Sequence, residues 1–143
     1  MSTCEEAELN TTEVAVSPQG AGGWTDVTAL VRDFCTGQGD GLVSVFAPHS
    51  TVGLALMHAD EGAGDDVIEA VNRLLPRDLD YRHREKAPGH GPDHVVPVLI
   101  SPSVTIPVVD GTLAIGEFQQ VILIDLDEQP STRRLRLSFV LSA

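Results

Sequence analysis

The chain has 143 residues, the length of one ordinary domain with a single sizeable core. Its content of 42% hydrophobic and 21% charged residues is that of a globular protein, and no run approaches the roughly 18 apolar residues of a membrane span. Nine Lys plus Arg against 21 Asp plus Glu give a net charge of −12, which repels phosphate backbones and anionic lipid; neither nucleic acid nor membrane is an expected partner.

The acidic opening MSTCEEAELN has neither the basic nor the apolar region of a secretory signal, so a cytoplasmic protein is expected. We expect one domain over residues 1–143, with 1–10 as a flexible acidic tail. Residues 12–16 suit a first strand, and Gly20 to Gly23 a turn. Thr25 can then cap a helix whose stripe of Val27, Leu30, Val31 and Phe34 has i, i+3, i+4, i+7 spacing and stops near Gly37. Cys35 ends that stripe as a buried small hydrophobe. With Cys4 it forms no metal or redox motif.

Strands are expected at 42–47 and 52–57. A second helix carries Val67, Ile68, Val71, Leu74 and Leu75; Asp65 and Asp66 suit its positive end, and Pro76 closes it. Further strands are expected at 95–100, 104–109, 118–126 and 134–141. In the last, Leu135, Leu137, Phe139 and Leu141 alternate with Arg134, Arg136 and Ser138, the period of a half-buried strand. Pro97 points to an edge or bulge in its strand. Strands joined by turns such as Asp110-Gly111, without a helix between each pair, predict an α+β fold with largely antiparallel, sandwich-like sheets and two main helices.

All five histidines fall between His49 and His94. Random placement confines them so closely on the order of a few per cent of the time, which makes this segment the place to look for chemistry. His49 sits with Ser50 and Thr51 on a turn between two strands, where functional side chains are often presented. Tyr81-Arg82-His83 and Pro88-Gly89-His90-Gly91-Pro92-Asp93-His94 form a Gly/Pro-rich loop bearing three more. No helix is expected to hold them, so a metal site must gather its ligands from separate turns and from the strand starting at His94. His90 reads as a loop residue without an assigned role. Arg73, Arg77, Arg82, Arg84 and Lys86 place five of the nine cations in one stretch, although charge runs are usually solvated. Nothing identifies a base and an orienting acid for Ser50 or Thr51, so ligand hydrogen bonding is the most they support.

The string VFAPHST from Val45 to Thr51, the spacing from His83 to His94, and the run VVDGTLAIGEFQ from Val108 to Gln119 resemble the YjbQ family, also called UPF0047. The resemblance implies a small α+β protein assembled as a homotrimer, with thiamine-phosphate synthase activity on small phosphorylated molecules. It maps the family's histidines to His49, His83 and His94, as catalytic residues and as ligands to a divalent metal, zinc or magnesium. Its Trp-Gln pair maps to Phe118 and Gln119. Ser50, Thr51, Arg82, Arg84 and Gln119 are then the expected substrate contacts.

Two positions depart from the family's pattern. His58 stands where a glutamate is usual, exchanging an anionic acceptor for a weaker base that also binds borderline metals. Phe118 keeps an apolar ring and loses the indole donor. Two readings follow. One is a thiamine-phosphate synthase-type enzyme that joins a pyrimidine diphosphate to a thiazole phosphate, with His49, His58, His83 and His94 in its site and cations stabilising the leaving pyrophosphate. The other is a non-catalytic metal- or small-ligand-binding trimer whose site has drifted through His58 and Phe118.

Overall fold

A computed structural model describes residues 9–18, 23–83, 89–128 and 131–142. Its elements are β1 (Leu9–Val16), β2 (Trp24–Asp26), α1 (Thr28–Cys35), β3 (Gly41–Phe46), β4 (Val52–Met57) and α2 (Ala63–Leu74). A 3-10 turn (Gly91–His94) and a short α3 (Val96–Leu99) precede β5 (Ser103–Val109), β6 (Thr112–Leu113), β7 (Gln120–Asp125) and β8 (Arg133–Leu141). The strands pair antiparallel in two sheets, ordered β1-β8-β3-β5-β6 and β2-β7-β4.

The period of the sequence explains the layering. In β8 the apolar set Leu135, Leu137 and Phe139 turns inward, while Arg134 and Arg136 are exposed. In β7 the run Val121, Ile122, Leu123, Ile124 is buried throughout, because this strand sits in a middle layer with a core on each face. Val121 and Leu123 join Val43, Val45, Ile106 and Leu137 of the large sheet and Val27, Val31 and Cys35 around α1. Ile122 and Ile124 face the other way, against Val71 and Leu75 at α2 and Val96 at α3. The protein is α+β, as expected: a five-stranded sheet, a three-stranded sheet with α1, and an outer layer of α2 and α3. No helix among the described residues is long and apolar enough to cross a membrane.

Three local expectations are corrected. Thr25 lies in β2 and does not cap α1; Asp26 does that work, its Oδ1 accepting from the Thr28 amide at 2.9 Å and from the Thr28 hydroxyl at 2.6 Å. Residues 95–100 form no strand. Pro92 and Pro97 each stand in the first turn of a short helical segment, where a missing N–H costs nothing and a fixed φ is helical. Leu9 and Asn10, placed in the tail by composition, pair with Val140 and Phe139 at the start of β1; the rest of that expected tail lies outside the described residues.

Candidate metal centre

The chain leaves α2 at Leu75 and Pro76, and Arg77 then fixes the loop that follows. Its guanidinium donates to the carbonyls of Gly89, at 2.7 Å, and Leu126, and to Asp93 Oδ1 at 3.0 Å, with Glu128 at 3.4 Å from Nε. One side chain thereby ties the end of α2 to the end of β7 and to the residue before His90. Of the five cations in the run 73–86, Arg73 makes, among the described residues, only an exposed i, i+4 pair with Glu69, as a solvated charge would. Arg77 is a staple instead.

Gly89 takes φ +85°, and the backbone then tightens into the 3-10 turn, with the Asp93 amide bonded to the His90 carbonyl at 3.1 Å. Gly91 is buried beneath Tyr81: a Cβ there would stand 2.4 Å from Tyr81 Cβ and 3.2 Å from the His83 carbonyl. Only glycine lets the 81–83 segment lie this close to the turn. The turn also carries His94 back to His90, four residues before it, with ring centroids 4.7 Å apart, which a fully extended loop would not do.

The three imidazoles of His83, His90 and His94 meet as a result. Ring centroids are 4.7 Å apart for His83–His94 and His90–His94, both near perpendicular, and 6.0 Å for His83–His90. One nitrogen from each lies within 4.8 Å of the others. Zinc with bonds of about 2.1 Å in a tetrahedral set needs ligand atoms about 3.4 Å apart, so a closure of at most about 1.4 Å, the scale of a side-chain rotation, separates the two geometries. His83 is exposed, while His90 and His94 are half-buried. Below them Asp93, 1% exposed, receives Arg77 on one oxygen and faces His90 Nδ1 at 3.1 Å with the other. Beside His83 a cavity of about 280 Å³ opens between Arg77, Leu79, Tyr81 and the backbone of Gly89 and Gly91.

His49, expected as a third ligand, is not in this group. The Arg134 amide donates to its Nε2 at 2.9 Å, so the imidazole clamps the β3–β4 turn onto β8. Ser50 is exposed on that turn and Thr51 is buried. His58 also stands apart, edge-on to Phe118 with centroids 5.7 Å apart: the two departures from the family's pattern touch each other. Gln119 is exposed and its Oε1 accepts from the Gly116 amide at 2.7 Å, closing the turn before β7. Arg82 is exposed next to His83; Arg84 and Lys86 lie outside the described residues. Sequence reasoning passed over His90, Asp93 and Arg77. The signal was present, because His90-x-x-Asp93-His94 has i+3 and i+4 spacing, but it speaks only once this stretch is read as a helical turn.

The family model described as UPF0047 protein YjbQ-like matches residues 12–142. A UPF0047 protein of Mycobacterium tuberculosis is 45% identical over 115 residues, covering 80% of this chain and 86% of its own length. Among solved structures, a YjbQ-like protein of unknown function from Sulfolobus solfataricus superposes with a TM-score of 0.86 at 19% identity, over 94% of this chain and 99% of that one. An uncharacterised YjbQ/UPF0047 protein from Clostridium acetobutylicum gives 0.81 at 26% identity, over 90% and 99%.

Proposed function

The chain belongs to the YjbQ-like UPF0047 family, and from that premise we propose that His83, His90 and His94 hold one divalent metal ion that serves small-molecule chemistry in the adjoining cavity. The observation that carries the reading is the convergence of three imidazole nitrogens within 4.8 Å. The donor set favours zinc over magnesium, since magnesium prefers six oxygens in an octahedron and three neutral imidazoles supply none. Three protein ligands leave a fourth position for water or substrate, where the bound ion supplies Lewis acidity to a phosphate oxygen or lowers the pKa of a bound water.

The reaction to assign first is the thiamine-phosphate synthase type that the family resemblance implies, with Arg82 beside His83 as a cation for phosphate. His58 and Phe118, the two departures from the family's pattern, touch each other and are not among the three grouped histidines, so a binding protein without turnover, the second reading, would owe its loss of activity to a change outside the proposed metal ligands. A homotrimer is the assembly we propose with either reading.

Metal analysis of protein purified from zinc-supplemented cells tests the centre. We expect about one zinc per chain, lost in His90→Ala and His94→Ala and retained in His49→Ala. Wild-type protein without zinc, or loss only in His49→Ala, would overturn it. Pyrophosphate released from the pyrimidine diphosphate as the thiazole phosphate displaces it then separates the readings. Turnover that disappears in His94→Ala marks the enzyme, and bound zinc with no turnover marks the binding protein.

A further inference from the structure

We propose that Asp93 is the positioning residue of this centre: it holds His90 as the tautomer protonated on Nδ1, so that Nε2 is the nitrogen turned to the ion. This rests on the metal reading above. The carboxylate is 1% exposed and both of its oxygens are committed, Oδ1 to Arg77 at 3.0 Å and Oδ2 toward His90 Nδ1 at 3.1 Å. A carboxylate in a salt bridge only accepts hydrogen bonds, so the nitrogen facing it must carry the proton. A neutral imidazole has one N–H, and placing it on Nδ1 leaves the Nε2 lone pair for the group formed with His83 and His94.

Burial makes the assignment firm, because little water competes for Asp93. Arg77 sets the carboxylate in place. It is bonded to the carbonyl of Gly89, the residue before His90, and to that of Leu126 beyond β7, so the acid and the imidazole share one frame. A ligand histidine whose second nitrogen is held by a carboxylate is oriented before the ion arrives, and loss of such a partner typically weakens metal affinity about 10- to 100-fold.

The test has two arms. In metal-free wild-type protein, long-range nitrogen–proton NMR of the His90 ring should show Nδ1 protonated and Nε2 bare. In Asp93→Asn, the amide can donate to Nδ1 and favour the opposite tautomer, and zinc affinity measured against a chelator should fall about 10- to 100-fold. A His90 ring protonated on Nε2 and bare on Nδ1 in the wild type overturns the inference, as does an Asp93→Asn chain that binds zinc as tightly as the wild type. A wild type that binds no zinc overturns the metal reading instead, and the tautomer, read without metal, stands or falls separately. Should Asp93→Asn fail to fold, the wild-type tautomer decides.

Discussion

Cys35 closes α1 with its side chain fully buried in the larger core, which also holds Val31 and Val108. Burial pushes the thiol up from its ordinary value, since the apolar surroundings disfavour the thiolate. The native protein should therefore leave Cys35 unalkylated by iodoacetamide at pH 8, and urea should expose it; mass spectrometry of the Cys35 peptide reads both. The same shift sets a sign for stability. As pH rises past about 8.5, an unfolded thiol loses its proton while the folded one keeps it, so the unfolded state binds fewer protons and stability falls with pH. Cys35→Ala should remove that alkaline component from the urea midpoints. Composition sufficed to place this residue, because a small apolar side chain at the end of a helical stripe has one destination. His49 and His90 look alike in the sequence and part company in the fold. Which histidine meets which depends on backbone that neither composition nor count encodes.

At the scale of elements, the 3-10 turn is what converts three loop histidines into a group. Gly91→Ala tests it, because the added Cβ would stand 2.4 Å from Tyr81 Cβ and must push the 81–83 segment away. Overpacking of this kind typically costs about 1–3 kcal/mol. We expect a lower Tm together with weaker zinc binding, and a variant that matches the wild type in both would show that the close approach does not hold the centre together. The strands β3, β4 and β8 were legible within a residue, since strict alternation or a bounded apolar run leaves little choice. Residues 95–100 were not: six residues of mostly branched apolar type suit a buried strand or a helical turn equally well, and the two prolines decided for the turn. Thr25 and Asp26 are neighbouring cap formers, and pairing of Trp24, Thr25 and Asp26 with β7 settled which of them met α1.

Among the described residues the layers stack on one side of the five-stranded sheet, and the opposite face of that sheet has none of them over it. Across this face the pairing aligns Leu9, Val140, Leu42 and Pro107 in a single row over β1, β8, β3 and β5. Leu9, Val140 and Leu42 are 58%, 44% and 46% exposed, a row of large apolar side chains open to water. Beyond the row stand Arg134 and Arg136, both donating to the carboxylate of Glu13. On a chain of net charge −12 this face thus carries both signs in near balance, which suits a second copy of itself better than a strongly charged partner. If the proposed homotrimer forms here, light scattering should give three times the chain mass for the wild type. Leu42→Glu would put three carboxylates into the contact and should shift the mass toward that of one chain, while the half-exposed position leaves the folded subunit and its zinc content intact. A wild type that runs as a single chain would remove the assembly from the reading, and a variant that stays trimeric would move the contact to another face.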